Sequence, residues 1–156
     1  MDELRVPTIA TMAELACADG RVLVGRVLIP DGAFRHAGPM RAEEWVNDPA
    51  DFFPFLLQGE ERTVLLNKEQ VVVLTLALPA EDHAADTENT EMVRPVVVEC
   101  GSVRVEGELR LEMPEGHRRA LDMLNAPERF LTVYAGERQH LVHKHHVTRV
   151  LENRGR

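Results

Sequence analysis

A chain of 156 residues suffices for one ordinary domain or two small ones, and a hydrophobic share of 44% provides for a buried core and excludes whole-chain disorder. Aromatic residues make up only 4%, so Val, Leu and Ala must fill that core. The net charge of −8, from 18 Lys and Arg against 26 Asp and Glu, disfavours non-specific attraction to phosphate backbones or anionic membranes.

No stretch approaches the roughly 20 apolar residues that cross a bilayer. The opening residues, Met1 to Arg5, lack the basic and apolar regions of a signal peptide. Cys17 and Cys100 are too few for a disulfide framework. A cytoplasmic location is the expectation. The charge is uneven: residues 1–91 carry 7 Lys and Arg against 17 Asp and Glu, whereas residues 92–156 carry 11 against 9 and five of the seven histidines.

In chain order the pattern is mainly β. Short Val/Leu-rich runs at 8–18, 21–29, 52–57, 63–66 and 71–78 are bounded by Gly, Pro and Asp, as strands are. Asp19-Gly20 is a turn signal before the second run. Gly25, inside it, permits a sharp bend. Residues 41–47 are good helix formers closed by Asn47, with Pro49 two residues later, which predicts one or two helical turns, a strand being the competing assignment. A Gln58-Gly59 turn separates the third and fourth runs. The run at 71–78 is apolar on both alternating faces, so both should be covered.

Residues 79–91 carry almost no large apolar side chains and read as an acidic, flexible linker. Beyond it the pattern recurs: runs at 93–100, 103–113, 130–134, 140–143 and 147–151, a helical segment at 118–125, a turn at 135–138, and Gly107 in the place of Gly25. Residues 44–55 align without gaps to 122–133, with Asn47/Asn125, Pro49/Pro127 and Phe52/Phe130 identical. A second block sets 66–71 against 142–147, and a third sets 20–25 against 101–107 with one insertion. Three blocks in the same order predict an internal duplication. The first unit spans 7–78 and the second 92–153. Five strands in such short units predict two small, strongly bent barrels. Barrels of that size are marginal alone and are helped by docking on each other. An edge left unpaired would invite a neighbouring chain.

Residues 19–28 resemble the first signature of Sm-like proteins, and residues 64–75 resemble the second, a strand, tight turn and closing strand. The second unit repeats the layout, so the resemblance covers about 120 residues. It is similar also to a tandem form of uncharacterised bacterial proteins. The resemblance implies two tandem Sm-like (SH3-like) five-stranded barrels, each with a helical turn between its second and third strands, joined through edge strands. It also implies oligomerisation, three chains making a six-barrel ring. In that family RNA binding draws on an Asp and an Asn before the third strand and an Arg-Gly pair between the last two. The matching positions here are Asn47, Asp122 and Asn125, with Asn67-Lys68 and His143-Lys144 in place of Arg-Gly. Lysine lacks the planar, bidentate guanidinium of that pair.

Residues 140–146 hold four histidines, and an imidazole cluster is a potential transition-metal site. Strand alternation would put His143 and His145 on one face and His140 on the other, which supplies at most two ligands. The alternative is an exposed strand and turn facing water. Lys68 and Lys144, with Arg118 and Arg119, offer a shallow basic patch or simply a solvated surface. Trp45 and Met123 read as core plugs, with stacking platforms as the alternative, and the two cysteines as small buried side chains, since a reactive thiol would need a nearby cationic group. No nucleophile elbow, zinc-protease helix, Cys-x-x-Cys or phosphate loop occurs in the sequence. The expectation is a non-enzymatic binding or assembly module without a cofactor, whose partner is protein or a second copy. The alternatives are RNA binding through the second unit and an unrecognised enzyme or metal protein.

Overall fold

The computed structural model describes residues 8–31, 40–60, 62–83, 92–111 and 119–152. Ten strands form one open antiparallel sheet in the order β10-β6-β7-β8-β9-β5-β1-β2-β3-β4. The strands are β1 (Thr8–Cys17), β2 (Val22–Pro30), β3 (Phe52–Leu57), β4 (Thr63–Asn67), β5 (Val71–Ala77), β6 (Met92–Cys100), β7 (Val103–Leu111), β8 (Phe130–Ala135), β9 (Arg138–His143) and β10 (Arg149–Glu152). Two short helices, α1 (Ala42–Val46) and α2 (Ala120–Leu124), sit between the second and third strands of each half. The five-run pattern of each half is therefore present, with boundaries shifted by a residue or two. Residues 84–91 of the acidic stretch lie outside the described residues, as do Arg118 and Met113. Within that stretch Ala80–Asp82 forms a 3-10 turn. Among the described residues no helix is long and apolar enough to cross a membrane.

The two halves meet where β5 of the first pairs antiparallel with β9 of the second, Val73 opposite Val142 and Thr75 opposite His140. This explains why β5 is apolar on both faces. Val71, Leu74 and Leu76 enter a core built mainly by the first half, which also takes in Phe130 and Leu141. Val72 and Val73 enter a core built mainly by the second. Each core thus borrows apolar side chains across the junction. A fully buried aliphatic or aromatic side chain contributes about 1.5–3 kcal/mol.

Gly25 and Gly107 sit where strands cross closely. A Cβ on Gly25 would collide with the Leu56 carbonyl oxygen, and one on Gly107 with that of Tyr134. Only a residue without a side chain lets β2 and β7 pass so near the strands they cross. Trp45 is buried and meets Phe53 edge-to-face at 5.3 Å, as a plug between α1 and β3. Cys100 is buried and Cys17 half-buried, and burial raises both thiols, with the Asp19 carboxylate adding to the effect at Cys17.

Candidate functional site

The residues singled out in the sequence gather around the helix ends and the strand turns beside them, and most are spent on building that framework. A helix of one turn leaves its first N–H and last C=O groups without internal partners. At the start of α1 the Arg41 N–H donates to the Glu44 carboxylate, and at the start of α2 the Arg119 N–H donates to Asp122 at 3.0 Å. Asp122 is therefore a helix cap. Asn47 and Asn125 close the two helices as C-caps.

The carbonyls at the far end meet a lysine. Lys68 Nζ donates to the Asp48 carbonyl and to the Asp48 carboxylate, both at 3.0 Å. Lys144 Nζ donates to the Met123 and Ala126 carbonyls. Asp48 and Ala126 occupy matched positions in the aligned segments, so the same clamp is built in each half. Lys68 is only 1% exposed, which corrects its reading as part of a basic patch or solvated surface. Burial lowers the Lys144 ammonium from its ordinary value, partly offset by Glu128. Each lysine opens a 3-10 turn, and the residue before it closes that turn. Asn67 Oδ1 accepts from the Glu69 N–H, and His143 Nδ1 accepts from the His145 N–H.

His143 is buried, not exposed on a wet strand. The chain leaves the strand path at Lys144–His146, so the alternation that paired His143 with His145 on one strand face does not extend that far. The rings of His143, His145 and His146 instead cluster with centroids 5.2 to 6.1 Å apart. His143 Nε2 has no hydrogen-bond partner and lies 3.9 Å from the Glu69 carboxylate. Desolvation lowers the His143 pKa, Glu69 pulls it up, and His146, His145 and Arg129 push it further down. Among the described residues no group of three or more His, Cys, Asp or Glu side chains is arranged to hold a metal ion.

Polar contacts lace the junction between the halves, among them Gln139 Nε2 donating to the Ala77 carbonyl and the Thr132 hydroxyl donating to Glu43. Asn47 Oδ1 accepts the Phe130 N–H at 2.8 Å, and its Nδ2 donates to the Phe130 carbonyl. Arg129 pairs with Asp51 at 2.7 Å. His140 Nδ1 meets the Thr75 hydroxyl at 2.8 Å, and His146 Nε2 meets the Glu69 carbonyl at 2.6 Å. Sequence reasoning marked Asn47 but missed Arg129, Asp51 and Thr75. The only available signal was the opposite charge of Asp51 and Arg129 at aligned positions.

Among the described residues the sheet ends in two unpaired edges, β4 and β10. Apolar side chains remain exposed at both, with Leu65 at 69% on β4, Phe52 at 56% beside it on β3, and Leu151 at 41% on β10. Comparison with known proteins returns no matching family model, curated protein or solved structure.

Proposed function

We propose that this chain is a non-enzymatic assembly module, two Sm-like barrels fused in tandem, and that its free edges β4 and β10 join it head-to-tail to further copies. One observation carries the reading, the β5–β9 junction inside the chain. There the last strand of one half pairs with the fourth strand of the other. The free edges have the same two ranks: β10 is the last strand of its half and β4 the fourth of its own. The molecule thus holds one example of an interface and one unused copy of each of its sides.

Carried over by the aligned positions, the internal contacts predict those between chains. Arg149 would lie opposite Leu66 of the next copy, as Val73 lies opposite Val142. Asn125 would bridge the backbone of Phe52 in the next copy, as Asn47 bridges Phe130. Arg129 would meet Asp51 of the next copy, so the ion pair keeps both its signs. Contacts of this head-to-tail kind propagate into a closed ring or a filament according to the rotation between copies.

Multi-angle light scattering across micromolar concentrations tests the reading. The expected result is a species larger than one chain that shrinks to a monomer in Leu65→Lys, a change on an exposed side chain that leaves the core alone. A monomer of the unaltered chain throughout overturns the assembly reading. RNA binding through the second half draws no support from Lys144, whose ammonium is held by helix carbonyls.

A further inference from the structure

A cavity of about 390 Å³ opens at the end of the junction opposite the histidines. Both halves build it. The ends of β1, β2 and β5 and the start of α1 supply an apolar wall that includes Ile29, Met40 and Leu76, and β7, β8 and β9 supply Arg110, Tyr134 and Gln139. Its volume lies within the range of small-molecule sites, about 300–1,000 Å³.

The cavity is lined by two cations, Arg41 and Arg110, and three carboxylates, Glu43, Glu81 and Asp82. Arg110 has a side chain only 8% exposed, with its guanidinium 4.0 Å from the centre of the Tyr134 ring. One terminal nitrogen donates to the His83 carbonyl at 3.1 Å. The Nε–H is buried without a hydrogen-bond partner, since the Glu108 carboxylate stands 3.8 Å away, beyond bonding reach. A buried cationic donor left unmatched is costly, and such groups in folded proteins ordinarily have an acceptor. Around the same cavity stand Glu81, which is exposed, and the half-buried Glu43 and Asp82. Arg41 stands beside them and Glu43 accepts the Thr132 hydroxyl, which leaves Glu81 and Asp82 as the carboxylates on which an ammonium would settle.

We infer that this cavity binds a small zwitterion with an apolar body, of the chemistry of an amino acid with a large apolar side chain. Its carboxylate pairs with the Arg110 guanidinium, its ammonium faces Glu81 and Asp82, and its side chain lies on Ile29, Met40 and Leu76. Every residue of the site comes from one chain, so binding does not depend on the assembly proposed above.

Isothermal titration of the full chain with L-phenylalanine tests the inference, with phenylpropanoate and phenethylamine as the analogues lacking the ammonium and the carboxylate. The expected result is saturable binding of phenylalanine, at least about tenfold tighter than either analogue, as loss of a charge-assisted contact implies. Arg110→Gln should abolish it. Asp82→Asn, a change outside the core, should weaken phenylalanine but leave phenylpropanoate unchanged, and it keeps the test alive if Arg110→Gln does not fold. Equal affinity for phenylalanine and phenylpropanoate overturns the zwitterion. Absence of saturable binding up to about 10 mM overturns the site, because millimolar dissociation constants mark the weak end of specific recognition.

Discussion

Asn47 and Asn125 are the same residue at aligned positions, yet among the described residues only the Asn47 side chain has a hydrogen-bond partner, and this makes them a matched pair of probes. Asn47→Ala removes the acceptor of the Phe130 N–H at 2.8 Å and the donor to its carbonyl at 3.4 Å. Phe130 is 3% exposed, so water cannot readily replace the lost acceptor. A stranded buried N–H costs about 1–3 kcal/mol, and the longer second bond adds a fraction of that. The expected loss of stability is about 2–3 kcal/mol. With a urea slope of about 2 kcal/mol per molar for a chain of this size, the unfolding midpoint should fall by about 1 M. Asn125 makes no side-chain hydrogen bond among the described residues, and its backbone N–H bonds to the Leu121 carbonyl survive substitution. Asn125→Ala should therefore leave the midpoint of dilute protein within about 0.5 kcal/mol of the parent. At higher concentration it should weaken association by about tenfold per junction, the equivalent of one lost interfacial hydrogen-bond pair. Urea unfolding monitored by Trp45 fluorescence, at low and high protein concentration, measures both. Equal losses from the two substitutions, or no effect of Asn125→Ala on association, would refute the reasoning.

Gly25→Ala should cost about 3 kcal/mol or more, because its methyl group would collide with backbone and not with a side chain that can rotate away. Gly107→Ala, which meets the Tyr134 carbonyl, should behave alike, and a midpoint unchanged in either variant would remove the close strand approach from the account. Lys68→Met keeps the buried stem but strands the Asp48 carbonyl. Because the Asp48 side chain is 50% exposed and rehydrates, the expected loss is about 2 kcal/mol, read by the same denaturation. Stability should also fall as pH drops below the ordinary imidazole value of 6.5, since His140 and His143 both have lowered pKa values in the folded chain. The unfolded chain then binds more protons than the folded one, so the contribution is complete above pH 6.5 and is lost as pH falls through the folded values. Burial is the main cause at both. Arg138 lowers and Glu14 raises His140, which also faces Thr75, while Glu69 opposes the burial of His143. A double His140→Gln, His143→Gln variant should flatten the melting-temperature profile between pH 8 and about 5, and an unaltered profile would refute this assignment.

What was legible in the sequence and what was not divides along the range of the physics involved. The strand runs, the glycines and the Asn-capped helical turns depend on local backbone geometry, and residues near in sequence announce them. The doubly apolar β5 announced that both its faces would be covered. It did not say by which strand, because Val, Leu and Ala carry no partner label and the register with β9 is set by the whole sheet. Lys68 was illegible for a different reason. A lysine in a turn has the same sequence signature whether its ammonium meets water or the end of a helix twenty residues earlier. His143 misled because a period-two reading was extended into a 3-10 turn, where the side-chain direction changes. Of the seven candidate residues marked by resemblance, five, Asn67, Lys68, Asp122, His143 and Lys144, bond to backbone groups or a neighbouring carboxylate in their own half. That leaves the asymmetry between the halves as the most informative feature. Among the described residues the side chain at position 47 reaches across a junction and that at position 125 makes no hydrogen bond, so equivalent local structure has been left with unequal contacts. The inequality is sharpest, among the described residues, between the last strands of the two halves, where β5 is paired on both sides and buried while β10 pairs with β6 alone and leaves Leu151 exposed. On the proposed head-to-tail reading, the edge that completes β10 is β4 of a second copy.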